Sequence, residues 1–121
     1  MVVVYSYIEG EKCMAKIRIR DKSVVKAIEK YAKVICEHYN VYAIILFGSY
    51  AKGTEREDSD IDIAVITDDI KTDKFDEEVN LMGLRRGIDT RLEPHIIRIE
   101  DYKNIETPFV QEVIDTGIKI A

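Results

Sequence analysis

The sequence predicts a single α+β domain in which helices pack on a mixed central sheet. Three observations lead there. The run Val41 to Phe47 is continuously apolar between Asn40 and Gly48, as expected of a strand buried on both faces. A polar turn from Gly48 to Ser59 leads into a second apolar strand carrying Ile61, Ile63, Val65 and Ile66, so strand, turn and strand form one unit. Around this unit, apolar residues recur at the 3.6 period of helices. The chain has 121 residues, 46% of them hydrophobic and 34% charged, which is one domain's worth of sequence with enough apolar side chains for a core.

Taken in order, residues 1–20 read as an N-terminal hairpin. Its strands are Val2 to Ile8 and Met14 to Arg20, the second alternating Ala15, Ile17 and Ile19 with Lys16, Arg18 and Arg20, and Glu9-Gly10-Glu11 supplies the turn. An open edge on this hairpin would suit pairing with a partner or with another subunit, which makes a homo-oligomer one expectation. The motif-bearing core spans 23–97. Asp21 or Ser23 caps a helix over 23–39, whose apolar stripe is Val24, Ala27, Ile28, Tyr31, Ile35 and Tyr39, and Asn40 ends it. After the two central strands, Phe75, Val79 and Met82 mark an amphipathic helix at about 73–86. Gly87 then opens a third central strand, Ile88 to Ile97. Residues 98–121 supply a C-terminal helix and strand: Thr107 and Pro108 start the helix, Phe109, Val110, Val113 and Ile114 form its buried stripe, and Gly117 stops it.

Composition narrows the function. No apolar run approaches the roughly 20 residues of a bilayer span, and Val2-Val3-Val4-Tyr5 has neither the basic flank nor the cleavage site of a signal peptide, so a cytoplasmic protein without membrane contact is expected. Cys13 and Cys36 lack metal-ligand spacing and read as reduced, buried thiols. The net charge of -5 is local: residues 55–78 carry 11 acidic and 3 basic groups, whereas residues 1–54 carry 9 basic and 5 acidic. Such a balance, without Trp or a basic stripe, disfavours a long nucleic-acid partner and templated polymerisation. An acidic block is ordinarily a solvated face. Here it contains chemistry.

That chemistry starts at Gly48-Ser49, which leaves a buried strand. Glycine lets backbone approach a ligand closely, and Ser49 to Ala51 can open a short helix whose first N–H groups attract phosphate. Further on, Asp60 and Asp62 stand two residues apart on a strand, so both carboxylates project from one face about 6–7 Å apart along the backbone. Like charges placed together beside Ile61 and Ile63 call for a cation between them. Carboxylate oxygens favour Mg²⁺ or Mn²⁺, which takes its remaining ligands from water and substrate phosphates. A third carboxylate from the next strand is expected. Asp89 is the candidate, at a strand entrance comparable to that of Asp60, and Glu93 is the rival if the register differs by two residues. Arg91 orients a carboxylate or forms a structural ion pair with Asp89 or Glu93. His38 reads as a surface residue near a helix end, and His95 as a packed or hydrogen-bonded strand residue rather than a ligand.

Gly48-Ser49, with Ala51 and Gly53, followed by Ser59-Asp60-Ile61-Asp62, resembles the hallmark of the nucleotidyltransferase superfamily that includes DNA polymerase β, and most closely its minimal nucleotidyltransferase-domain proteins. Ile88-Asp89-Thr90-Arg91-Leu92 is similar to the strand that carries the third metal carboxylate in polymerase β-type enzymes, which favours Asp89 over Glu93. The resemblance covers about residues 23–97. It implies transfer of a nucleoside monophosphate, AMP from ATP being the first expectation, to an acceptor hydroxyl with two Mg²⁺ or Mn²⁺ ions. Asp60, Asp62 and Asp89 would hold the metals, Gly48 and Ser49 the triphosphate, and Lys52 or Arg56 would assist the leaving pyrophosphate. Small members of the group resemble antitoxins paired with a helical HEPN-type ribonuclease toxin, which they sequester or modify with AMP on a tyrosine. A catalytically silent binding module is the alternative expectation.

Overall fold

The computed structural model describes residues 2–8, 11–17, 19, 21–105 and 107–121, with side-chain surroundings given at 19, 21–105 and 107–121. Strands β1 (Val2–Ile8) and β2 (Glu11–Ile17) pair antiparallel from Val2 opposite Ile17 to Ile8 opposite Glu11. β2 therefore starts three residues earlier than the alternation of Ala15, Ile17 and Ile19 suggested. The expected turn residues Glu9 and Gly10, the strand end at Arg18 and Arg20, and the burial of Cys13 lie outside the described residues.

Helix α1 (Lys22–His38) begins where Asp21 accepts hydrogen bonds from the Ser23 backbone N–H (2.9 Å) and hydroxyl (2.6 Å), and Tyr39 closes it. Its buried residues include Val24, Ala27, Ile28, Tyr31 and Ile35, as the stripe predicted. Cys36 is exposed, contrary to expectation, because it follows Ile35 onto the outer side of the helix. The four-stranded sheet has the order β5-β4-β3-β6, built from β3 (Ala43–Phe47), β4 (Ile61–Ile66), β5 (Leu92–Ile97) and β6 (Ile118–Lys119). β3 runs antiparallel to β4 and β6, while β4 and β5 are parallel. The sheet is mixed, as the sequence predicts.

The parallel pair is joined through helix α3 (Lys74–Leu84), the crossover such pairs require. Asp73 caps α3 through the Asp76 N–H at 2.8 Å. Phe75, Val79 and Met82 do not face the core; they are 74%, 51% and 40% exposed, and the buried positions are Glu77 and Leu81. Leu81 sits at the intervening helical position and is held there by its carbonyl, which accepts the buried Tyr31 hydroxyl at 2.6 Å. The three apolar residues thus form an outward stripe.

The third strand starts at Leu92 rather than Ile88. Gly87 adopts φ +78°, and the Asp89 carboxylate accepts the Arg91 N–H at 2.9 Å, so residues 85–91 turn on local hydrogen bonds that compete with strand pairing. Arg85 then donates to the Leu92 carbonyl at 2.8 Å and anchors the strand start. Among the described residues β5 is an edge strand, and Glu78 of α3 accepts its Ile96 N–H at 3.1 Å. Short helix α4 (Ile99–Asn104), which the sequence pattern did not suggest, precedes α5 (Pro108–Thr116). Thr107 caps α5 through the Val110 N–H at 3.2 Å.

The two sheet faces differ. One carries Ile44, Leu46, Ile61, Ile63, Val65, Leu92 and Ile96 into a continuous core with α1 and Leu81. On the other, Ala43, Ile45, Phe47, Ala64, Ile66 and Ile97 pack on Val110 and Val113 of α5. Beyond Phe47 and Ala64 this second face turns acidic.

Candidate active site

The acidic end of that face is assembled by strand periodicity. On β4, residues 62, 64 and 66 share a face with residue 60 before the strand, and on β5 residues 93, 95 and 97 share one. Parallel pairing sets Asp62 opposite Glu93 and Ala64 opposite His95. Asp62, Glu93 and His95 each contribute one donor atom to a group in which all lie within 4.8 Å of one another. The His95 Nε2 faces Asp62 Oδ1 at 3.6 Å and Glu93 Oε1 at 4.0 Å. Asp62, Glu93 and His95 side chains are 24%, 45% and 29% exposed, so solvent and small solutes reach them.

The electrostatics are those of a crowded site. Partial burial pushes the Glu93 carboxyl above its ordinary value, and neighbouring Asp60 and Asp62 push it further. His95 is held above the usual imidazole value, chiefly by Asp62, with Glu93 adding to the effect and burial opposing it. His95 packs edge-on against Phe47 at 5.4 Å between ring centroids and lies tilted against Phe109 at 5.5 Å, so β3 and the start of α5 hold the ring.

Gly48 lies next to this cluster. Its φ of +76° is open to glycine at little cost, and a Cβ built there would overlap the Asp62 carboxylate. The position of the Asp62 carboxylate therefore requires a glycine at 48. Ser49 opens helix α2 (Ser49–Lys52), which Gly53 closes at φ +75°. The leading N–H groups of such a turn lack intrahelical acceptors and suit an anionic ligand. Tyr50 is buried in the core on the other face of the sheet.

The remaining residues singled out in the sequence lie elsewhere. Asp89 is not in the cluster: its Oδ2 accepts Arg91 Nη2 at 2.7 Å and its Oδ1 accepts Arg91 Nε at 3.0 Å, a bidentate pair that lowers the Asp89 pKa. Lys52 pairs with Glu112 of α5 at 3.7 Å. Arg56 is exposed on the loop before β4, where Ser59 Oγ accepts its backbone N–H at 2.7 Å. His38 is exposed, as expected, with Nδ1 2.9 Å from the Val34 carbonyl oxygen. The rival carboxylate Glu93 is the one that meets Asp62. Its sequence signal is alternation over 92–97, with Leu92, Pro94 and Ile96 buried between half-exposed Glu93 and His95.

A divalent cation fits these residues. The carboxylates of Asp62 and Glu93 and the His95 imidazole meet at one partly open point, and their donor atoms, within 4.8 Å of one another, lie close enough to converge on one ion.

Known proteins place the geometry in context. The chain is 31% identical over 102 residues to "Putative protein adenylyltransferase MJ1379" of Methanocaldococcus jannaschii, covering 78% of this chain and 91% of the relative. A crystal structure of a toxin-antitoxin with AMP-PNP shares the fold with a TM-score of 0.56 and 25% identity, over 77% of this chain and 71% of the other. A crystal structure of a mutant of the toxin-antitoxin MntA-HpeT gives a TM-score of 0.54 and 26% identity, over 78% of this chain and 71% of the other. Residues 29–121 match the family described as Polymerase beta, Nucleotidyltransferase, and the chain therefore belongs to that family as a nucleotidyltransferase.

Proposed function

We propose that the chain transfers AMP from ATP to a hydroxyl group of a partner protein, and that Asp60, Asp62 and Glu93 hold the divalent cation, Mg²⁺ or Mn²⁺, on which the transfer depends. One observation carries the reading: parallel pairing brings the carboxylates of Asp62 and Glu93 together, with Asp62 against the Gly48 turn and Asp60, just before the first strand, beside Glu93. When bound, the cation neutralises the triphosphate and acidifies the acceptor hydroxyl. The chain's own residues position. Gly48 keeps the backbone of the turn close to the Asp62 carboxylate, and Ser49 would offer a hydroxyl and the start of α2 to the triphosphate. Asp62 points its carboxylate into the cluster, where Glu93 meets it, and Asp60 lies beside Glu93. Lys52, 3.7 Å from Glu112, and exposed Arg56 stand outside the cluster and are the basic residues we assign to assist the leaving pyrophosphate.

The acceptor we favour is a tyrosine of a small helical toxin of the HEPN type, which makes this chain an antitoxin acting in the cytoplasm. Relatives named as protein adenylyltransferases and a toxin-antitoxin neighbour holding AMP-PNP support that reading. Its test is to isolate the chain with its co-expressed partner, add ATP and Mg²⁺, and weigh the intact partner by mass spectrometry. The expected result is a partner heavier by AMP units with wild-type protein and unmodified with Asp62→Asn. An inhibited but unmodified partner in both cases would replace transfer with sequestration.

A further inference from the structure

Resting on the reading that Asp62 and Glu93 hold a divalent cation, we propose that His95 is a direct ligand of that cation through Nε2, which tunes the site toward a first-row transition ion such as Mn²⁺ over Mg²⁺. Geometry comes first. Glu93 and His95 share the open face of β5, and parallel pairing brings both to Asp62. The Nε2 distances of 3.6 Å to Asp62 Oδ1 and 4.0 Å to Glu93 Oε1 exceed good hydrogen-bond lengths. They suit donors separated by an ion with metal–ligand bonds of about 2.1 Å.

Packing adds preorganisation. The imidazole is held by Phe47 at 5.4 Å and Phe109 at 5.5 Å, and those two rings meet edge-on at 5.5 Å, so the aromatic trio fixes the ring plane from β3 and α5. A ring fixed in this way loses little freedom on ligating a metal. Its nitrogen is also a softer donor than the two carboxylates. Mg²⁺ prefers oxygen ligands and retained waters, whereas Mn²⁺ and later first-row ions accept imidazole readily. An imidazole converging with the carboxylates on one point therefore gives a selectivity different from that of an all-carboxylate site.

The test uses the full chain with Mn²⁺ as probe and no nucleotide. Pulsed electron paramagnetic resonance on the wild type should show ¹⁴N coupling from a directly bound imidazole. His95→Asn and the larger His95→Gln should each abolish that coupling and weaken Mn²⁺ binding by roughly tenfold or more, while Mg²⁺ affinity, read by competition, falls by a smaller factor. Thermal melting of each variant checks that the fold persists. Mn²⁺ bound to the wild type without ¹⁴N coupling would overturn the His95 assignment and leave the acid cluster standing. Equal losses for both ions would overturn the selectivity. Failure of the wild type to bind Mn²⁺ at all would overturn the cation reading and the His95 assignment with it.

Discussion

Asp89-Thr90-Arg91 and Glu93-Pro94-His95 are successive acid-x-base triplets, nearly interchangeable as strings, and the fold treats them oppositely. In the first, the carboxylate is closed: Arg91 grips it twice, at 2.7 and 3.0 Å, the Arg91 N–H adds a third bond, and its pKa falls. The Asp89 side chain is 15% exposed. In the second, the acid meets other acids, its pKa rises, and its basic neighbour stands 4.0 Å away with its ring held by aromatics. The Asp89 carboxylate is satisfied by its own ion pair, whereas the carboxylate of Glu93 is left among other acids at a partly open point.

The contrast is broken most severely at the glycine beside the open cluster. Gly48→Ala forces a Cβ onto the Asp62 carboxylate at a backbone angle that alanine resists, so AMP transfer should fall by roughly 100-fold or more, since small misplacements at a reacting centre cost that much. Initial rates of label transfer from ATP measure it. Next in size is the effect of the ion on stability. Mn²⁺ at about 100 times its Kd should stabilise the wild type by about 2.7 kcal/mol in denaturant titrations, and Asp62→Asn should lose most of that gain. Equal gains for both proteins would mean that the cluster is not the binding point.

The closed triplet sharpens the comparison through pH. Asp89→Asn should cost about 1–2 kcal/mol at neutral pH with metal binding unchanged, because it weakens a partly buried, charge-assisted pair. The Asp89 pKa is lowered from 3.8 in the fold, so its stabilisation is complete above the unfolded value and is lost as pH falls through the lower, folded value. The wild type and Asp89→Asn should therefore differ in stability at pH 6 and converge as pH falls below 3.8 and through the folded value. A gap that persists in strong acid would contradict the ion-pair account. Smallest of all, Phe75→Ser on α3 should change stability by no more than about 0.5 kcal/mol, whereas Leu81→Ala should cost about 2–5 kcal/mol.

Much of this was legible in sequence where local chemistry decides the structure. The caps Asp21 and Thr107, the buried strand ending at Phe47, and the Gly48-Ser49 turn leading to Asp60 and Asp62 all announce themselves through spacing and residue type. The start of β5 did not, because alternation over 88–97 continues through a turn that Gly87 and Asp89 hold by φ and side-chain hydrogen bonds. That difference decides which acid reaches Asp62. α3 misled for a related reason: its apolar residues at 75, 79 and 82 have helical spacing, yet the Tyr31 hydroxyl and packing at Leu81 select the other face. His95 looked like a packed strand residue and is one, but parallel register gives its ring a second set of neighbours that no single-strand pattern contains.

The central claim is that Glu93, and not Asp89, completes the carboxylate set with Asp60 and Asp62. Measuring Mg²⁺-dependent AMP transfer side by side for Glu93→Gln and Asp89→Asn tests it most directly. The account predicts a loss of roughly 100-fold or more for Glu93→Gln and a change well under tenfold for Asp89→Asn at a temperature where both are folded. The reverse order, with Asp89→Asn inactive and Glu93→Gln active, would contradict it.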